Sequence, residues 1–419
     1  MTKETIVDLS KIKKVFFVGI GGIGISAIAR MMLLEGKQVF GSDISENEIT
    51  NELKKLGAKI FTGQGVELIP TNVDLIIYSI AIKKYDSVFC KKLEQLGVPL
   101  MSYPEMLGVV TADKYTIAVA GTHGKTTTTA MIAKILIDAG LDPSVIVGSL
   151  LKDYKSNLVM GKSELFVVEA CEYERSFLNL KPKILVITNI EAEHLDYYKD
   201  LADIKNAFDQ LMSQSENVIS DYTKFLDKVP KLKLPGEHNR MNAAAAFAVA
   251  DFLNIDEDII RKSLTEFSGT SRRLEKRGVT EVGTIIYDDY AHHPTEIKAS
   301  LQALRELYPE SEKDIIILFQ PHLYSRTKAL FGDFSKSFKG ADRIFLLPIY
   351  FAREAKDESV SSEKLAEAIS QRGEQAQAFP DFDSAETAVK ALKLGAEDVF
   401  VTMGAGEAYK VADKVFNLP

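Results

Sequence analysis

Short apolar runs recur along the chain, each closed by glycine or by a polar cluster. Most are followed by a stretch in which apolar residues return every three or four positions. The runs at 15–18, 39–43, 75–79, 115–120, 165–169, 184–188, 284–287, 315–319, 343–348 and 399–403 read as strands. Several, such as 15–18 and 315–319, are apolar throughout, the pattern of strands covered by helices on either side of a parallel sheet. Helical spacing follows near 26–34, 49–56, 87–96 and 201–212, and an alanine-rich helix runs on from 235–242 to 253. The alternation predicts an α/β chain of three consecutive α/β domains, at 1–111, 112–269 and 270–419. No short-period repeat or low-complexity segment interrupts it.

A chain of 419 residues is too long for one hydrophobic core, which agrees with that division. Hydrophobic residues make up 46% and charged residues 26%, so an ordinary globular protein is expected. The formal net charge of -8 argues against a general nucleic-acid or anionic-membrane binder, since either would carry a basic stripe. The two cysteines, Cys90 and Cys171, are far apart in sequence; they suggest no disulfide framework or zinc ribbon, and both read as small buried filler. Residues 1–14 lack the apolar core of a signal peptide, and no apolar run approaches a membrane span, so a cytoplasmic protein is expected.

Two glycine turns carry the candidate chemistry. Gly121-Thr-His-Gly-Lys-Thr-Thr127 joins a predicted strand to a helix, a P-loop-like junction that aims backbone N–H groups and the positive end of the helix dipole at one point. Lys125 would add a cation at the β/γ-phosphates of a nucleotide, and Thr126 a hydroxyl for Mg²⁺. Val119 stands where the usual first glycine would, and Gly121 supplies the turn instead. The other turn, Gly19-Ile-Gly-Gly-Ile-Gly24 with Asp43 about twenty residues on, fits a dinucleotide fingerprint and so a Rossmann-like first domain. Taken alone, it would indicate an NAD-dependent oxidoreductase.

All six histidines (His123, His194, His238, His292, His293 and His322) fall in predicted turns after strands or before helices. That placement suits metal binding or proton transfer, although a single loop histidine is usually a surface residue. Glu169, closing a strand, is a plausible second ligand beside His194, because Mg²⁺ prefers oxygen donors. Asn239 and Asn242 share one helical face and could bond an adenine edge, or equally cap the helix. Arg273, His292 and Arg326 lie at strand ends of the third unit, with side chains suited to carboxylate or phosphate.

Six stretches then occur in one order: Gly19-Ile-Gly-Gly-Ile-Gly-Ile-Ser26, Gly121 to Thr129, Thr188-Asn-Ile-Glu-Ala-Glu-His194, Pro235-Gly-Glu-His-Asn239, Asp288-Asp-Tyr-Ala-His-His-Pro294 and Phe319-Gln-Pro-His-Leu-Tyr-Ser-Arg-Thr327. Together they resemble the Mur ligase family over nearly the whole chain. The resemblance implies a Rossmann-like N-terminal domain, a P-loop central ATPase domain and a Rossmann-like C-terminal domain. The expected partners are ATP, Mg²⁺, UDP-N-acetylmuramate and L-alanine, with an acyl phosphate between the two half-reactions of amide formation.

Carried over residue by residue, Gly21, Gly22, Gly24, Ser26, Asp43 and Ser79 hold the UDP-sugar. Gly121, Thr122, His123, Gly124, Lys125, Thr126, Thr127, Asn239, Asn242, Arg273 and Asp289 hold ATP. Thr126, Glu169 and His194 hold the metal. Tyr290, His292, His322 and Arg326 face the amino acid and the reacting carboxylate, with Lys125, His292 and Arg326 as the catalytic group. The chain departs from the family pattern in three places: only a short link stands between Ile219 and Leu234, Gln64 replaces a common Gly-His pair, and Tyr103-Pro104 replaces a frequent Arg-Ala. A murein tripeptide ligase of peptidoglycan recycling and a non-catalytic UDP-sugar binder are the remaining alternatives.

Overall fold

Every apolar run that the sequence marks as a strand forms one in the computed structural model, which describes residues 7–351 and 354–418. The first sheet comprises β1 (Lys14–Val18), β2 (Gln38–Asp43), β3 (Lys59–Thr62), β4 (Leu75–Tyr78) and β5 (Leu100–Ser102). Its order is β3-β2-β1-β4-β5 and all its pairs are parallel. The chain moves outward from β1 through β3, then returns to the other side of β1 for β4. That reversal leaves a crevice between the carboxyl ends of β1 and β4, where open α/β sheets bind ligands.

The second sheet comprises β6 (Tyr115–Ala120), β7 (Ser144–Leu151), β8 (Ser156–Val159), β9 (Leu165–Glu169), β10 (Ile184–Ile187) and β11 (Asn217–Ile219), in the order β11-β10-β6-β9-β7-β8. Only its edge strand β8 runs antiparallel. The third contains β12 (Glu275–Val279), β13 (Ile285–Asp289), β14 (Asp314–Phe319), β15 (Arg343–Leu346), β16 (Ala376–Ala378) and β17 (Asp398–Met403), in the order β12-β13-β17-β14-β15-β16 with β12 antiparallel. Among the described residues, no helix is long and apolar enough to cross a membrane.

The first two sheets fall in one compact unit and the third in another; segment 191–203 groups with the third sheet although it lies between β10 and β11 in sequence. Inside the first unit the two sheets are tied by a polar contact. Asn157 on β8 is fully buried; its side-chain amide donates to the Ser26 hydroxyl at 2.9 Å and to the Ile23 carbonyl. Burial on both faces explains why β1, β4, β6, β10 and β14 read as unbroken apolar runs. Phe16, Ile76, Val119, Leu185 and Ile317 are all inaccessible to solvent, and each such side chain contributes roughly 1.5–3 kcal/mol. Of the cysteines, Cys90 is the buried filler expected; Cys171 is exposed, because it lies beyond the end of β9 rather than within it.

Candidate active site

The sharp turn after β6 depends on two glycines. Gly121 has φ +142°, and a Cβ there would lie 1.9 Å from Thr188 Oγ1. Gly124, at φ 81°, is the left-handed residue that starts the helix Lys125–Asp138. The loop is held from β10's carboxyl end: the Asn189 carbonyl accepts from Thr122 N at 3.0 Å, and Asn189 Oδ1 accepts from His123 N at 2.8 Å. Thr188 Oγ1 donates to the His123 carbonyl at 2.6 Å.

Lys125 Nζ donates to the carbonyls of Gly121 (2.6 Å) and Thr122 (2.9 Å), and it pairs with the Glu172 carboxylate at 2.9 Å. Thr126 Oγ1 donates to Glu169 Oε1 at 3.1 Å, while Glu169 Oε2 accepts from Gly148 N at 2.7 Å. A hydroxyl and a carboxylate therefore converge at the helix start, the kind of oxygen pair that Mg²⁺ takes. Thr127 is buried there, and Thr128 and Thr129 are wholly buried, so these two serve packing.

On the first sheet, Gly21 N donates to Asp43 Oδ2 at 2.8 Å, so Asp43 braces the glycine loop directly. A Cβ on Gly21 would meet Asp43 Oδ2 at 2.9 Å and Asn47 Nδ2 at 2.8 Å. Gly22 precedes the helix Ile23–Leu34 as its cap. Ser79 follows β4 across the crevice, its Cβ 3.2 Å from where a Cβ on Gly19 would be. Ser26 has no exposed surface, and its hydroxyl is held between the Ile23 carbonyl and Asn157; it supports the loop from beneath.

In the unit of the third sheet, Asp288 and Asp289 end β13. Asp288 accepts from Arg272 Nε at 2.8 Å and from Thr402 at 2.7 Å. Asp289 accepts from Ser300 Oγ and from Ala291 N at 3.2 Å. Burial pushes its carboxyl up to about 6. His293 caps the helix Pro294–Leu307.

His292 Nδ1 lies 2.9 Å from the Tyr290 carbonyl, which makes it the donor nitrogen and leaves Nε2 facing Glu193 Oε1 at 3.7 Å. Burial above all, then the Arg326 cation and the neighbouring His322 ring, holds His292 well below the usual histidine range, against the opposing pull of Glu296. Arg326 binds Glu193 Oε1 at 3.3 Å, and its other terminal nitrogen lies 3.3 Å from His322 Nδ1. His322 stacks on Tyr350, and burial with the Arg326 charge lowers it to about 3. The result is a cation and two neutral imidazoles around one buried carboxylate. Beside it opens a pocket walled by His194, Leu195, Leu323, Arg326 and Leu330. His194 occupies a left-handed turn at φ 54°, its carbonyl accepting from Tyr197 N and Tyr198 N.

Arg273 lies 3.6 Å from Glu296 and stacks over Tyr290. Asn239 and Asn242 are buried in the helix Glu237–Phe252, where Asn242 Nδ2 lies 3.5 Å from Asn239 Oδ1, so they share a face; Asn239 lies inside the helix and donates its amide to the Pro235 carbonyl at 2.7 Å, which is not the capping bond. The sequence reading gave no individual role to Glu172, Asn189 or Glu193. Each sits in a polar cluster just beyond a strand end, a signal that located the clusters without saying which member grips a partner.

Comparison with known proteins accounts for this arrangement. Family models match residues 14–115 (Mur ligase family, catalytic domain), 119–228 (Mur ligase middle domain) and 272–406 (Mur ligase, glutamate ligase domain). The chain is 39% identical to a UDP-N-acetylmuramate–L-alanine ligase of Clostridium kluyveri, over 98% of this chain and 99% of that protein. It is 40% identical to the like-named protein of Caldanaerobacter subterraneus, over 97% and 98%. The first alignment runs over 459 residues against a chain of 419, so the relative has segments with no counterpart here. Among solved structures, the UDP-N-acetylmuramate-alanine ligase of Thermotoga maritima superposes with a TM-score of 0.81 at 26% identity, covering 96% of this chain and 98% of that one. A murein peptide ligase from Psychrobacter arcticus shares the fold, with a TM-score of 0.68 at 20% identity over 97% and 98%. On the strength of full-length identity and of the three matched domains, the chain belongs to the Mur ligase family.

Proposed function

We propose that the protein is an ATP-dependent ligase of peptidoglycan synthesis that joins L-alanine to the lactyl carboxylate of UDP-N-acetylmuramate, releasing ADP and phosphate. The observation that carries this reading is the near-complete alignment, at 39–40% identity, with ligases named for that reaction. Domains at 1–111, 112–269 and 270–419 would take the sugar nucleotide, ATP and the amino acid in that order. Use of ATP and a nucleotide sugar places the work in the cytoplasm.

The lactyl carboxylate attacks the γ-phosphorus of ATP, and ADP leaves. Two anions must approach, so positive charge at the transferring group is the main requirement. Lys125 supplies it by turning from Glu172 and the loop carbonyls toward the phosphates. Gly121 to Thr127 offer their backbone N–H groups to the same oxygens. Thr126 and Glu169 fit Mg²⁺, with His194 added by the resemblance; the ion, when bound, offsets charge on the β- and γ-oxygens.

The amine then attacks the acyl phosphate carbonyl, and phosphate leaves from the tetrahedral intermediate. Arg326 suits the amino acid's carboxylate. His292 is held neutral by burial, so its Nε2 can accept the amine's proton, and Glu193 steadies the imidazolium. Tyr290 and His322 keep this pair oriented. Asn239, Asn242, Arg273 and Asp289 stand as the further nucleotide residues.

Lys125→Ala tests the assignment of the two glycine loops. ADP release should be abolished while UDP-sugar binding, measured calorimetrically, is retained. Loss of both would show that the loops have been exchanged.

A further inference from the structure

The carboxyl ends of the first sheet's strands converge on one crevice, and one side chain there has no role in the account above. Tyr103 follows β5 directly, as the first residue of the helix Tyr103–Thr111. Its place is fixed from both sides. Ser102 and Glu105 form a capping box at the helix start, with Pro104 in the first turn. Further along, Gly108 fits so closely against the segment Tyr173–Asn179 that a Cβ on it would lie 2.5 Å from the Asn179 carbonyl oxygen.

From that anchored start the ring leans over the glycine loop. A Cβ on Gly24 would lie 2.8 Å from Tyr103 Cε1 and Cζ and 3.0 Å from its hydroxyl oxygen. The third glycine of the fingerprint is therefore required by the tyrosine, which needs the hydrogen-only surface to reach the loop. The phenol itself is the unused part. Asp43, Ser26 and Asn47 all spend hydrogen bonds on the loop, yet among the described residues none bonds the Tyr103 hydroxyl.

We propose that Tyr103 is a binding and specificity residue for the sugar nucleotide, its hydroxyl donating to a diphosphate oxygen held at the glycine loop. The inference rests on the reading of that loop as the UDP-sugar site. Three features make the chemistry fit. The loop opens the helix Ile23–Leu34 with its N–H groups, so an anionic oxygen is drawn to the place that Tyr103 overhangs. Burial first, then nearby Cys171 and Glu169, raises the phenol above its ordinary range, so it stays a protonated donor. Glu169, which ends β9 and bonds Thr126, is near enough to act on the phenol. A neutral donor there can hold the diphosphate without adding a cation to compete with Lys125 for the γ-phosphate.

Isothermal titration of the full chain with UDP, and separately with uridine, tests the proposal. A hydrogen bond to a charged group contributes about 1.5–3 kcal/mol, so Tyr103→Phe should weaken UDP binding on the order of tenfold to a hundredfold and leave uridine binding unchanged. Gly24→Ala, which displaces the ring, should weaken UDP as well. Binding of ADP with Mg²⁺ at wild-type affinity would show that the variants remain folded. Unchanged UDP affinity in folded Tyr103→Phe overturns the proposal. A wild-type chain that binds no UDP would instead overturn the reading of the loop on which it rests.

Discussion

Gly121→Ala probes the turn on which the phosphate loop depends. The new Cβ would occupy a backbone at φ +142°, which only glycine adopts freely, and it would lie 1.9 Å from Thr188 Oγ1. Asn189 N and O, each 3.0 Å away, close the other side. The backbone strain costs about 1–3 kcal/mol, and forcing a methyl into filled space costs about 1–3 kcal/mol more. Thr188 cannot simply rotate, since its hydroxyl donates to the His123 carbonyl at 2.6 Å. Thr188→Ala removes the struck atom at a cost of about 1 kcal/mol for the lost hydrogen bond. The double variant should then be more stable than the two single losses added together, by about 1–3 kcal/mol, while retaining the backbone strain. Urea denaturation gives the coupling, and ADP binding on the same samples reports the loop. Losses that simply add, or a Gly121→Ala protein as stable as wild type, would refute the close approach of Gly121 to Thr188.

Two other perturbations bear on charge. Glu172→Gln leaves the part-buried Lys125 ammonium without its carboxylate; removing one partner of a buried pair costs about 3–5 kcal/mol, reduced here by the two loop carbonyls. The melting temperature should fall in nucleotide-free protein and recover at saturating ADP, whose phosphates replace the counter-charge; an equal fall in both states would contradict the pairing. Acid should also weaken the unit of the third sheet. His292 and His322 are both lowered in the fold, so the stability that their neutral forms confer is present above about 6.5 and is lost as pH falls. With His322 at about 3, its loss between pH 7.5 and pH 5 is about 2 kcal/mol. Asp289, raised to about 6, has the opposite sign and restores about 1 kcal/mol over the same interval. His292 adds to the loss, so chemical denaturation should show net destabilisation at pH 5; a more stable protein there would contradict the burial of the imidazoles.

The strands were legible because their information is local: both-face burial writes β1, β4, β6 and β14 as apolar runs, and glycine marks the turns that follow. The glycine turn after β6 was legible for the same reason, with Lys125 and Thr126 opening the helix at the strand-to-helix junction. Short edge strands such as β3, β12 and β16 were not, because half-exposed strands mix polar and apolar residues without a clear period. Partnerships were also hidden. Glu172 meets Lys125 across 47 residues, and Arg326 meets Glu193 across 133, so tertiary structure within each unit decides them. Ser26 was read as a ligand residue from its motif, and its hydrogen bond from Asn157, 131 residues away, is one that no local pattern reveals.

The central claim is the identity of the bond formed. Purified protein with ATP, Mg²⁺ and UDP-N-acetylmuramate should be offered L-alanine, L-serine, glycine or the murein tripeptide, with ADP release and product mass read together. The account predicts ADP release that requires both UDP-N-acetylmuramate and an amine, and a product heavier by one alanyl residue as the preferred outcome. Preferential ligation of the tripeptide, or binding of UDP-N-acetylmuramate with no ADP released for any amine, would contradict it.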